Sequence, residues 1–244
     1  MLRSIKSMFG YIILAKDGDI GKVHDFSFDD EEWTIRYLVV DTHYWLPGRK
    51  VLISPISLGQ PDWRSIRFPV NLTKEQVRNS PGIDADKPVS RQQQIDLHAY
   101  YGWPPYWSIP IVPPPIPISG PPRETPAQRD QGDPHLRSTK EVTGYRIEVE
   151  ATDGEIGHVE DFILEDKDWV IRYMVVDTKN WLPGRKVLIS PQWIERVSWN
   201  EKKVHVDLSR EAVENSPQYD EAAPVNREYE VRLYDYYGRP TYWP

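Results

Sequence analysis

A chain of 244 residues with 27% charged and 39% hydrophobic residues has the balance of one large or two ordinary globular domains. It contains no cysteine, which excludes disulfides, iron–sulfur clusters, thiolate zinc sites and cysteine nucleophiles. The net charge of -7 argues against a phosphate-coating nucleic-acid binder, no apolar run is long enough to span a bilayer, and the stretch after Met1 predicts no secretory signal.

Displacing the sequence by 136 residues lays 17–107 over 153–243 without a gap, and roughly half the positions are identical. Upstream, Gly10-Tyr11 matches Gly144-Tyr145 once two residues are inserted. The chain therefore divides into a first repeat (1–107), a proline-rich linker (108–138) and a second repeat (139–244). The repeats differ in charge: 13 basic and 13 acidic side chains in the first, 14 and 21 in the second. The acidic excess belongs to the second copy, so the two copies are expected to share a fold and differ in surface.

In chain order, residues 11–15 read as a strand, and Asp17-Gly18 supplies a turn. A strand over 20–28 follows, with Gly21 marking a bulge or a close backbone approach. Residues 29–32 form a polar hairpin tip, read as solvated, with weak calcium binding or a docking contact as the alternatives. Residues 33–41 are rich in β-branched and aromatic side chains, and both faces are apolar past Tyr37, so that half is expected to be covered on both sides. Strands at 50–53 and 67–71 complete the unit, and Pro69 predicts an edge position that its counterpart His205 does not require. Thr73-x-x-Gln76 and Ser90-x-x-Gln93 are capping boxes, the second opening a helix that stops at Gly102. Ser209 and Asn226 take the same cap positions in the second repeat. The aromatic tail, Tyr100 to Trp107, is expected to fold back and bury its rings. The linker prolines favour extended polyproline II.

The predicted fold class is mainly β: two tandem small β-barrels, each followed by short helices and an aromatic tail. Asp-Gly-x-x-Gly-x-Val-x-Asp-Phe, Trp-x-Ile-Arg-Tyr-x-Val-Val-Asp-Thr and Trp-Leu-Pro-Gly-Arg-Lys-Val-Leu-Ile-Ser-Pro occur in both copies, at 17–55 and 153–191. This pattern resembles the PRC-barrel domain, named for the cytoplasmic part of the photosynthetic reaction-centre H subunit and found also in a ribosome-maturation factor family. The resemblance implies a non-catalytic docking module.

Few residues point to chemistry. None of the five histidines that have a counterpart in the other repeat faces a histidine there, so a metal site shared by both copies is not expected, and no phosphate loop or nucleophile elbow occurs. No cofactor is expected and the chain is read as not an enzyme. Asp41 and Asp177, each ending a strand, are read as held in structural ion pairs with Arg36 and Arg172, or with Arg49 and Arg185. The candidate interaction surface is Trp45, Leu46, Arg49 and Lys50 with the identical Trp181, Leu182, Arg185 and Lys186. Pro47-Gly48 fits a type II turn, but that geometry does not demand the neighbouring tryptophan and cations. Two readings stay open: a tryptophan lid with a structurally paired arginine, or an interface hot spot.

The leading expectation is a cytoplasmic scaffold with protein partners, docking on a membrane-associated assembly of the photosynthetic kind. Homo-oligomerisation through the barrels and peripheral membrane association are left open, and nucleic acid is not an expected partner. The alternatives are a ribosome-maturation factor and an enzyme or binder of a small apolar or glycan ligand.

Overall fold

The structure is a computed structural model that describes residues 1–43, 45–82, 88–107, 132–149, 154–178 and 184–244. The first repeat contributes β1 (Leu2–Ser4), β2 (Ile12–Ala15), β3 (Gly18–Asp29), β4 (Thr34–Asp41), β5 (Lys50–Ile53), β6 (Arg67–Pro69), α1 (Lys74–Arg78) and α2 (Arg91–Tyr101). Next come β7 (Leu136–Ser138), at the end of the stretch read as linker, and α3 (Thr139–Val142). They are followed by β8 (Arg146–Val149), β9 (Glu155–Glu165), β10 (Val170–Asp177), β11 (Lys186–Ile189), β12 (Ile194–Ser198), β13 (Lys203–Val206), α4 (Arg210–Asn215) and α5 (Arg227–Tyr237). The protein is mainly β, with short helices.

The chain forms two compact units that cross the repeat boundaries. One, the first-repeat unit, holds Gly10–Ser27 and Arg36–Leu136. The other, the mixed unit, holds Met1–Phe9, Phe28–Ile35 and Arg137–Pro244.

In the first-repeat unit the strands run β6-β2-β3-β4-β5. β6 is the last strand of this order, and outside it, among the described residues, only the isolated bridges Leu58–Val70 and Asp62–Arg67 form, an interrupted pairing that fits Pro69, which has no N–H to give. Tyr37, Leu38, Val39 and Val40 of β4 are all buried, as their two-faced apolar pattern requires. Gly21 lies opposite Ile13, where the β2–β3 register shifts. A Cβ on Gly21 would stand 2.1 Å from the Asp41 carbonyl oxygen, so no other residue fits between these strands. Both capping boxes form, at Thr73/Gln76 and Ser90/Gln93, and Gly102 closes α2 in the left-handed conformation at φ 72°.

In the mixed unit the strands run β12-β13-β8-β9-β10-β11. Here β13 has β12 outside it, so His205 sits in an interior strand, where proline would cost a ladder bond. β8 covers only the first half of β9, at Glu155–His158. The remaining edge, Ile163–Glu165, pairs with β1 from the first repeat. An exposed strand edge is thereby closed. The β1 arm is anchored by Ile5 and Met8, both fully buried, and by Arg3 on Asp166 at 2.6 Å.

The two hairpin tips also meet in this unit. Trp33 and Trp169 occupy positive φ, 53° and 61°, a strained region for a bulky residue. The turn aims their carbonyls across the pair. Ile171 N–H donates to the Trp33 oxygen at 2.7 Å, and Ile35 N–H donates to the Trp169 oxygen at 2.8 Å. The tip acids are therefore not merely solvated, as their composition suggests. Asp30 holds Arg137 at 3.1 Å and Asp166 holds Arg3, so one carboxylate of each tip docks an arginine of the other repeat's arm.

Candidate functional site

The loop between β4 and β5 is fixed by its own backbone. Thr42, fully buried, donates its hydroxyl to the Arg49 carbonyl at 2.6 Å and the Leu46 carbonyl at 3.2 Å. Arg49 N–H bonds the Leu46 oxygen at 3.2 Å, and Gly48 stands at φ 74° after Pro47. This is the type II turn that the Pro-Gly pair predicts. The described part of the second copy repeats it: Thr178 Oγ1 donates to the Arg185 carbonyl at 2.9 Å, and Gly184 has φ 80°. Trp181 and Leu182 lie outside the described residues.

The loop side chains divide by what holds them. Trp45 is half-buried, its indole N–H donates to the Ile20 carbonyl, and Lys74 and Arg78 lie 5.0 and 5.5 Å from its ring centre. Cations at that range over tryptophan stabilise by about 0.5–1 kcal/mol each when exposed. Leu46 is half-buried, and Pro47 and Gly48 are exposed at the tip. The Arg49 guanidinium donates to the Arg78 carbonyl at 2.7 Å, the Ser80 carbonyl at 2.6 Å and the Ser80 hydroxyl at 3.0 Å. Arg185 donates likewise to the Ser216 carbonyl. The arginine therefore ties the loop to the end of α1 or α4, which accounts for Asn-Ser-Pro standing in both copies at 79–81 and 215–217. Lys50 lies in register with Asp41, whereas Lys186 bridges Glu160 at 2.6 Å and Glu221 at 2.8 Å. The position of Glu160 is His24 in the first repeat, so that bridge belongs to the second copy.

The expected ion pairs take other partners. Arg172 binds Glu165 at 2.7 Å and Asp168 at 2.8 Å, rather than Asp177. Arg36 lies over the Tyr106 ring at 4.1 Å, as Arg172 lies over Tyr242 at 4.2 Å. Residues five apart on a regular strand project to opposite faces, which sets Arg36 away from Asp41 on β4. Asp41 instead accepts the His43 N–H at 2.9 Å.

Those arginine–tyrosine contacts belong to a buried polar cluster that has no sequence signature. In the mixed unit Tyr173 and Tyr242 both donate to Glu230 Oε1, at 2.8 and 2.7 Å, and Arg227 reaches its other oxygen at 3.1 Å. Burial drives the Tyr173 and Tyr242 hydroxyls well above the ordinary tyrosine range, so both stay protonated as donors. In the first-repeat unit Gln94 replaces Glu230. The Tyr37 hydroxyl stands 3.3 Å from the Gln94 oxygen, Tyr106 donates to that oxygen, and the Gln94 amide donates to Asp133 at 2.6 Å. Arg91 then meets Asp133 at 2.8 Å. The buried carboxylate is kept in both copies but supplied from a different point of the chain.

An indole moves in the same way. Trp193 of the second repeat packs on Tyr234 at 5.4 Å and Tyr237 at 4.8 Å. Its counterpart is Ser57, and Trp103 from the tail fills the place, 5.6 Å from His98 and 4.4 Å from Tyr101, with its N–H on the Ser57 hydroxyl at 2.7 Å. The aromatic tail does fold back, burying Trp103 and half-burying Tyr101, Tyr106 and Trp107, while Tyr100 stays exposed.

The mixed unit also contains a cavity of about 320 Å³ lined by Glu31, Glu32, Trp33, Arg172, Gln192 and Tyr242, among others. That volume is at the lower end of the range for small-molecule sites, roughly 300–1,000 Å³.

Residues 141–213 match the PRC-barrel domain family. The match lies in the second repeat, to which the first is tied by internal identity. No curated protein matches the chain.

Proposed function

We propose that the chain is a non-enzymatic protein-interaction scaffold whose two repeats present the Trp-Leu-Pro-Gly-Arg-Lys loops to protein partners. The observation that carries this reading is the first-repeat loop itself. Its backbone is pinned by Thr42 and its arginine by Ser80, while Pro47 and Gly48 stand exposed beside the half-buried Trp45 and Leu46. A preorganised loop with an aromatic anchor loses little entropy on binding. Two such loops on one chain raise apparent affinity through effective concentration.

The PRC-barrel match at 141–213 and the reaction-centre analogy favour a cytoplasmic docking role on a membrane-associated assembly. No helix among the described residues is long and apolar enough to cross a membrane. The acidic excess of the second repeat favours protein over RNA as the partner. The test is capture from native extract at moderate salt with wild type and with Leu46→Asp/Leu182→Asp. Enrichment of a defined partner set that the variant loses, at unchanged melting temperature, is expected. Equal capture by both chains would remove the loops from the reading.

The cavity bounded by Trp33, Arg172 and Tyr242 favours a second reading, binding of a small glycan by stacking on those rings. Quenching of tryptophan fluorescence by an oligosaccharide panel tests it, and no saturable change in any member would dismiss it.

A further inference from the structure

Several contacts that join the repeats inside the mixed unit occur with a counterpart, although Lys6 on Glu160 at 3.1 Å does not, since the first repeat has His24 at that position. Ile171 N–H meets the Trp33 oxygen, and Ile35 N–H meets the Trp169 oxygen. Arg3 meets Asp166, and Arg137 meets Asp30. Asp30 and Asp166 are equivalent positions, and the two arms carry the same Leu-Arg-Ser at Leu2–Ser4 and Leu136–Ser138. The arms also touch, with Lys140 over the Phe9 ring at 5.1 Å. When residue i of one repeat contacts j of the other, and j of the first contacts i of the second, the interface is isologous, the kind that closes homodimers. Here it is closed within one chain.

We infer that a second copy of this chain can occupy this interface by exchange, the first repeat of each copy completing the mixed unit of the other. The exchanged pair makes the same contacts as the closed monomer. Only loop-closure entropy and chain concentration separate the two forms. The closed form therefore prevails in dilute solution, and exchange needs only the opening of contacts that re-form identically. This inference is independent of what the loops bind.

The Arg3–Asp166 pair gives a selective test, because its side chains are largely buried at 23% and 14% exposure, one on the arm and the other on the tip that receives it. Arg3→Asp alone faces Asp166, and Asp166→Arg alone faces Arg3, so each closed monomer carries a like-charge contact. In an exchanged pair made of one chain of each kind, both arm contacts become complementary: Arg3→Asp on Asp166→Arg, and the native Arg3 on the native Asp166. After brief co-refolding, sedimentation velocity should show at least about tenfold more two-chain species in the equimolar mixture than in either variant alone, equivalent to about 1.4 kcal/mol. A mixture that sediments as the sum of its components overturns the inference. If either variant loses its fold by circular dichroism, tagged and untagged wild-type chains co-refolded at high concentration decide. Retention of untagged chain on the tag supports exchange, and its absence overturns it.

Discussion

The Trp33 carbonyl accepts the Ile171 N–H at 2.7 Å, joining the hairpin tip of the first repeat to the first residues of β10 in the second. With β1 paired along β9, this makes the mixed unit depend on segments from both repeats. A cut in the joining segment should therefore not separate the halves. With a protease site inserted after Gly120, the cleaved chain is expected to elute as one species in gel filtration and to part only in denaturant. Separate elution of the fragments in native buffer would contradict this.

Gly21 and Gly157 each lie against a carbonyl, with a virtual Cβ 2.1 Å from Asp41 O and 2.2 Å from Asp177 O. Alanine at either place must push two paired strands apart. Gly21→Ala and Gly157→Ala are each expected to lose about 2–4 kcal/mol, the sum of overpacking and backbone strain, read from urea denaturation. Gly48→Ala has no neighbour within 4 Å and should cost only the φ penalty of its turn, about 1 kcal/mol.

The elements that were legible in the sequence owe it to local signals. The run from Tyr37 to Val40 declares a strand buried on both faces, Pro69 declares an edge, and the Thr73 and Ser90 boxes declare helix starts, all within a few residues. β1 and β7 were not legible, because three residues carry no periodicity and the partner of β1 stands some 160 positions away. Their repeated Leu-Arg-Ser was the available signal. The bond from Arg49 to Ser80 could have been suspected from two motifs that the copies keep together, but spacing alone does not show that one holds the other. The displaced carboxylate at Asp133 and the displaced indole at Trp103 leave no sequence trace, since each substitutes in space for a residue that the alignment pairs with something else. The ion-pair expectation for Arg36 and Asp41 failed on the two-residue period of a strand.

The displaced carboxylate makes the repeats respond oppositely to the same exchange. Gln94→Glu places a second buried carboxylate against Asp133, where the amide now donates at 2.6 Å. One of the pair must then take a raised pKa. A carboxylate with a folded pKa above its unfolded value contributes stability that is present below the unfolded pKa, about 4.3, and is lost as pH rises through the folded pKa. The variant should be less stable than wild type by about 2–3 kcal/mol at pH 7, and the gap should close on acidification toward pH 4. Adding Asp133→Asn reproduces the arrangement of Glu230 with Arg227 and should restore most of the loss at pH 7. Thermal melts across pH check both, and a pH-independent deficit would show that the cost is steric.

His98 sets a second pH response, with its sign fixed by geometry. Its Nδ1 lies 3.0 Å from the Pro104 carbonyl and must carry a proton to donate there. Nε2 lies 2.8 Å from the Tyr37 hydroxyl and accepts from it. The folded state thus uses the neutral ring, and burial, with Arg91 adding a like charge, holds its pKa below the ordinary histidine value. In the unfolded chain the ring takes a proton near pH 6.5, while in the folded chain it resists until lower pH. The unfolded state binds more protons in that window, so stability is full above pH 6.5 and is lost as pH falls toward the folded pKa. Tyr234 at the equivalent position does not ionise in this range. The melting temperature of wild type should therefore fall more steeply between pH 7.5 and 5.5 than that of His98→Gln, whose lower starting stability reflects the lost Tyr37 and Pro104 bonds. Equal slopes for the two proteins would leave the ring at 98 without influence on the acid sensitivity.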